Sequence, residues 1–283
     1  MKQKLSTLIL LILFFVGLSV LLYPAISDFW NSKTQSQAII DYESLLDQLP
    51  QEDYSGIFEN ADGYNRALQA LDFPLIQYNQ IPDYWNILDM NGNGMMGYIA
   101  IDKIGVELPI YLGTDEDVLN VAVGHVQGSS LPIGGESTHA VLSAHRGLPS
   151  AKLFTHLDRL EIGDTFVITV LDRVLTYQVD QIRIVLPDEV DNLVIADGQD
   201  YCTLLTCTPY GINTHRLLVR GRRIETIVHK TIHLTSEAYR IDTLIVTPIV
   251  ALPMLFVLIL IVVFKPPKKE RTEEVDYTPK NGH

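Results

Sequence analysis

Only two of the 283 residues are cysteines, and basic side chains are scarce: 21 Lys and Arg stand against 34 Asp and Glu, a net charge of −13. A surface with so little positive charge repels phosphate backbones, so nucleic acid is not an expected partner. No Gly-x-Ser-x-Gly elbow, Walker loop, His-Glu-x-x-His pair or Cys-x-x-Cys pair occurs in the chain. The chemistries that those motifs carry therefore have no local signature here. The cysteines do not read as a disulfide either. Cys202 and Cys207 lie in the β-branched, apolar run Tyr201-Cys-Thr-Leu-Leu-Thr-Cys-Thr208, which predicts a strand. Five residues apart in a strand, their Cα atoms would stand about 16 Å from each other on opposite faces. A disulfide needs them within about 7 Å.

What the chain has in excess is apolar sequence, 47% of all residues, concentrated at the two ends. Residues 5–23 and 244–264 are uncharged; Lys2 and Lys4 precede the first run, and Lys265, Lys268, Lys269 and Arg271 follow the second. A 21-residue helix reaches about 31 Å, the thickness of a hydrocarbon core. The positive flanks predict two membrane anchors with both termini in the cytoplasm, the rest lying on the far side. The alternative for the first run is a cleaved signal peptide ending near Pro24-Ala-Ile-Ser27. Between the anchors, residues 27–264 hold 30 acidic against 14 basic side chains, a net of −16.

The expected order is an N-terminal anchor in 1–26, helices in 27–71, a loop in 72–94, a β-rich domain in 95–228, a linker in 229–243, a second anchor in 244–264 and a cytoplasmic tail in 265–283. Apolar residues recur at three and four over 39–49, and Pro50 stops that helix. Asn91-Gly-Asn-Gly94 is a turn signal. Short strands are predicted at 97–101, 106–111, 140–143, 165–170, 174–184, 201–207 and 215–224, and short helices at 116–121 and 151–157. The spacing of the strands argues for a closed or nearly closed barrel. Asp89-Met-Asn-Gly-Asn-Gly94 matches the first half of a calcium loop, but its twelfth position is Ala100, so it reads as a turn and no metal is expected.

A thiol nucleophile needs a base or a cation beside it. Cys207 ends its strand just before Pro209-Tyr-Gly211, at a rim that a substrate can reach, whereas Cys202 reads as packing. Of eight histidines, His145 follows a predicted strand into Arg146-Gly-Leu-Pro149, another rim. Arg216 opens the strand after Cys207 and offers a planar fork of donors. Most of the other histidines read as surface or partly buried groups.

These residues resemble a family. Thr203-Leu-Leu-Thr-Cys207 is similar to the Thr-Leu-x-Thr-Cys signature of sortases. The longer runs Thr203–Gly221, Ser143-Ala-His-Arg-Gly-Leu-Pro-Ser-Ala-Lys-Leu-Phe154, Gly128-Ser-Ser-Leu-Pro132 and Gly94-Met-Met-Gly-Tyr98 resemble its class C, pilus-assembling branch. The resemblance implies a mainly β fold, an eight-stranded barrel with N-terminal helices outside it. It implies Cys207 as nucleophile, His145 as general acid or base and Arg216 as the group holding the substrate carbonyl or oxyanion, without a cofactor. It further implies cleavage of a Leu-Pro-x-Thr-Gly-like signal between Thr and Gly, and transfer of the acyl group to a lysine of the next pilin. The implied partners are pilins and membrane lipid, in a Gram-positive cell envelope.

Class C sortases carry a lid with an Asp-Pro-aromatic motif, and residues 72–94 sit where it belongs without containing one. Asp72, Phe73, Asp83, Tyr84 and Trp85 are the lid candidates, and Phe73 or Trp85 is expected near Cys207. Two other readings compete: a housekeeping-type sortase that anchors proteins to the cell wall, and a catalytically idle scaffold that binds pilins.

Overall fold

The computed structural model describes residues 2–48 and 54–226. The second apolar run, the linker before it and the tail lie outside the described residues. Four helices, α1 (Lys2–Gln48), α2 (Ser55–Gln69), α3 (Pro74–Gln77) and α4 (Glu116–Leu119), accompany eight strands. These are β1 (Met95–Ile101), β2 (Val106–Leu112), β3 (Val123–His125), β4 (Thr138–Ser143), β5 (Thr165–Val170), β6 (Arg173–Val185), β7 (Asp200–Thr208) and β8 (His215–Ile224).

The strands close into a barrel in the order β1-β2-β3-β4-β7-β8-β6-β5. Two neighbouring pairs, β2–β3 and β4–β7, are parallel. Inward-facing side chains such as Ile99, Ile110, Leu142, Ile168, Leu204 and Val219 are buried and fill the interior. A barrel this small leaves no channel, because β-branched and Leu side chains from every strand meet at the axis. At the β5–β6 hairpin the chain turns through Leu171, whose φ is +52°. The Tyr42 hydroxyl of α1 accepts the Leu171 N–H at 2.9 Å and donates to Met96 O at 3.1 Å. Burial pushes that hydroxyl up to about 12, as expected of a phenol that cannot ionise away from water.

Helix α1 passes through Pro24 without ending. It presents buried Gln35, Ile39 and Tyr42 to the barrel, while Ile40 faces outward. Its residues 11–48 form one helix long and apolar enough in part to cross a membrane. Asn65 of α2 docks by reading the backbone of Leu131 in both directions, at 3.3 and 2.7 Å.

Two expectations change. Residues 151–157 form turns followed by a short 3-10 segment at Leu157–Arg159, not a helix. Leu153, with φ +40°, breaks the helical path, and the Leu153, Phe154 and Leu157 side chains are all buried in the main core. The eighth strand, β3, is three residues long and contains Gly124, too short and too interrupted to show a period of two. Residues 72–94 hold α3 and two 3-10 turns, Tyr78–Gln80 and Tyr84–Asn86.

Candidate active site

Successive side chains on a strand point to opposite sides, and β7 separates the two cysteines on this rule. Cys202 and Leu204 belong to the barrel interior, whereas Leu205 packs in a second, smaller cluster on the outer side of the sheet. Cys202 is fully buried and its thiol is pushed well up by burial, which makes it inert. Cys207, half-buried, shares the outer side with Leu205 and stands at the strand's end.

The register brings Arg216 to it. Arg216 of β8 is the cross-strand partner of Cys207. Its Nη1 donates to the carbonyls of Asn213 and His215 at 3.3 and 3.2 Å, which holds the guanidinium at the rim. On the other flank Ser143 pairs with Leu205 in the parallel β4–β7 ladder. His145 stands two residues beyond this last ladder pair, past the end of β4. The backbone of Ala144 fixes that exit: its N–H donates to Leu205 O at 3.2 Å and its carbonyl accepts the Thr206 hydroxyl at 2.7 Å.

Arg146, which the sequence offered only as part of a rim, clamps the same place. Its side chain is 9% exposed. One terminal nitrogen donates to Thr208 Oγ1 at 3.1 Å and the other to Asp158 at 2.6 Å. The residue after His145 is thereby tied to the residue after Cys207. The Thr208–Pro209 peptide that follows is cis.

The outer side of the sheet also carries a small apolar cluster, called the groove below for the role proposed for it. Val141 of β4 and Leu218 of β8 are buried there with Val185 and Leu193, and Val126 and Leu205 pack against them. Leu75, in α3, packs into the same cluster. Its backbone lies directly on Gly128: a methyl group there would stand 2.6 Å from Pro74 O and 2.7 Å from Leu75 Cα. A residue with a side chain at 128 would push the segment off.

The lid candidates differ in burial and contacts. Asp72 and Asp83 lie on the segment's surface, Asp83 with φ +68°. Phe73 is 64% exposed, and Trp85 rests on Gly113, where a methyl group would meet its ring at 2.7 Å. Tyr84 is buried and acts as an anchor. The Nε2 of His125 lies 2.8 Å from Ser130 O, a pure acceptor, so that nitrogen carries the proton. Nδ1 then accepts the Tyr84 hydroxyl at 2.9 Å, and the hydroxyl oxygen accepts Gly113 N–H at 2.9 Å. Complete burial lowers His125 to about 4, so it is neutral at ordinary pH. The side chains of Asn91 and Asn93 accept the N–H groups two residues on, at 3.3 and 2.9 Å, in a local turn.

A half-buried thiol paired across a barrel rim with a guanidinium has parts that cysteine acyl-transfer chemistry needs, a nucleophile and a fixed cation. A family model described as "Sortase domain" matches residues 99–224. The fold is shared with sortase C1 of Streptococcus agalactiae at 47% identity and a TM-score of 0.61, covering 67% of this chain and 99% of that one. It is shared with sortase C of Clostridium perfringens, solved with a C-terminal cell wall sorting motif, at 44% identity and a TM-score of 0.59, covering 68% and 100%. Sortase D of Bacillus subtilis is 32% identical over 131 residues, which are 45% of this chain and 63% of that protein. The chain belongs to the sortase family, whose members are cysteine transpeptidases, and structurally it sits with sortase C enzymes.

Proposed function

We propose that the protein is a membrane-tethered class C sortase that polymerises pilins. The Cys207 thiolate attacks the carbonyl carbon of the threonine in a Leu-Pro-x-Thr-Gly-like signal. The Thr–Gly C–N bond breaks, His145 gives its proton to the departing glycine amine, and a thioester remains on Cys207. A neutral lysine amine of the next pilin then attacks the thioester. The C–S bond breaks, His145 takes the amine's proton and an isopeptide bond is left. Arg216 holds the carbonyl oxygen as charge develops on it.

The observation that supports this reading is the register of Arg216 opposite Cys207, with His145 two residues past the Ser143–Leu205 pair. The apolar groove lies alongside, where the leucine of an extended signal would fall about 10 Å upstream of the cleaved bond. Residues 72–94 act as the lid, with Leu75 as the group seated in that groove and Tyr84 as the anchor that keeps it there. The sorting motif bound to the Clostridium perfringens relative supports the substrate class. The long motifs shared with the pilus-assembling branch support the acceptor. Helix α1 and the apolar run 244–264 are the proposed tethers.

The test co-expresses candidate pilins with wild-type enzyme or with Cys207→Ala. A covalent high-molecular-weight ladder is expected with the first and none with the second; a ladder that persists with the alanine enzyme refutes the nucleophile.

A further inference from the structure

Away from Cys207, the outer side of β4 and β7 ends in a buried polar group that the proposed chemistry leaves unused. His139 is 1% exposed and stands in register with Tyr201. Its Nδ1 is 2.8 Å from Val194 O and its Nε2 is 2.7 Å from Thr203 Oγ1. A carbonyl oxygen only accepts, so Nδ1 carries the proton, and in the neutral ring Nε2 accepts the Thr203 hydroxyl. The surroundings favour that neutral form. Burial lowers the ring's proton affinity first, and the Arg220 cation lowers it further. Arg220 itself is occupied: it stacks over Tyr201 at 4.1 Å and makes two 2.9 Å hydrogen bonds to Asp180. Tyr201 meets the imidazole edge-on at 5.6 Å.

Val194 belongs to the connection between β6 and β7, and its neighbour Leu193 is the side chain that this connection contributes to the groove. Among the described residues, the hydrogen bonds of 186–193 stay within the connection: Leu193 N–H to Val190 O, Glu189 N–H to Leu186 O and Leu186 N–H to Glu189. Past Val194 the chain is tied down again at Gly198 and Gln199, by Ser137 and Thr138. The His139 ring therefore joins this wall to the floor beside Leu193.

We infer that His139 is a specificity-determining positioning residue. By holding Val194 it sets the height of Leu193 above Val141, Leu205 and Leu218, and so the width of the slot that takes the apolar residue upstream of the cleaved bond. The inference rests on the proposed reading of the groove. Apolar slots discriminate by one or two methylenes at most about 100-fold, and only if their walls are fixed.

The test uses the full-length enzyme and a fluorogenic Leu-Pro-x-Thr-Gly peptide. His139→Ala raises KM about tenfold while kcat stays within about twofold, and the preference for leucine over alanine at the first position falls about fivefold. His139→Asn, whose amide still donates to Val194 O, recovers most of the loss. Hydrogen exchange at amides 190–196 quickens in the alanine variant and returns towards the wild-type rate in the asparagine one, a readout that needs no turnover. A fall in kcat at constant KM, or unchanged exchange in 190–196, shows that the ring only packs and overturns the inference. If wild-type enzyme leaves the peptide uncut, the proposed substrate fails while the exchange measurement still decides whether His139 holds the connection.

Discussion

The barrel and the segment 72–94 that lies across it are held by different means. Each barrel strand has ladder bonds on both sides and a row of side chains in one shared interior. The segment has α3 and two short 3-10 turns with no ladder, and side-chain packing holds it. Tyr84 and Leu88 are buried in the main core, and Tyr78, Ile81, Ile87 and Met90 pack against that core. The Tyr84 hydroxyl, the seat of Leu75 and the close approach at Gly128 add to this. Many weak contacts spread over a closed sheet open together or not at all. A few local ones open alone, at a fraction of the global free energy. A segment without a ladder is expected to open at a lower free energy than the barrel beneath it.

Four experiments break or sharpen this contrast, in falling order of effect. Cys207→Ala removes the nucleophile from an end-of-strand, half-exposed position. Transpeptidation drops by at least about 1,000-fold, while the melting temperature moves by less than about 2 °C; a large loss of stability would mean that the rim is not independent of the reacting group. Arg216→Lys keeps the charge and loses the fork, and kcat/KM falls about 100-fold. Near-normal turnover would remove Arg216 from its role. Ile168→Ala opens a cavity at a fully buried barrel position. It costs about 2–5 kcal/mol of global stability, read by urea unfolding, with the exchange of residues 72–94 relative to the barrel little changed. Tyr84→Phe does the opposite. It leaves His125 Nδ1 and Gly113 N–H without their partner, which loosens the segment by about 1–3 kcal/mol. Alkylation of Cys207 and proteolysis within 72–94 quicken, and global unfolding shifts less than for Ile168→Ala.

Acid adds a fifth, smaller effect. His125 binds a proton near pH 6.5 when unfolded and only near 4 when folded. The unfolded state holds more protons in that window, so stability falls as pH falls from 6.5 towards 4, by at most about 1.4 kcal/mol per unit. His125→Asn flattens the slope of unfolding free energy against pH. An unchanged slope would mean that His125 is not the group being titrated.

Much of the barrel was legible because its longer strands carry runs of β-branched and apolar residues that differ sharply from the turns between them. Cys207 and Arg216 stood out as residues near strand ends, and the register sets the two opposite each other; His145 was marked only by following a predicted strand. Other parts rest on contacts that leave no period. Leu75 sits in an aperiodic stretch of Pro, Asn and Asp, where one leucine does not stand out from its neighbour Ile76, yet only Leu75 finds the groove. His139 reads as an ordinary buried histidine until Val194 and Thr203 arrive from elsewhere in the chain. Residues 151–157 were expected as a short helix, and a positive φ at Leu153 delivers turns instead. Pro24, read as the edge of the first apolar run, lies inside a helix that runs on to Gln48.

The placement of the two cysteines has a redox consequence. A sulfenic acid formed on Cys207 by an oxidant is ordinarily rescued when a nearby thiol condenses with it. Cys202, the chain's only other thiol, points into the sealed barrel from the far side of the same strand, beyond the reach of a disulfide. Without a thiol donated from outside, the sulfenic acid has no thiol in the chain to condense with, and a second equivalent of oxidant takes it to the sulfinic acid, which ends that molecule's working life.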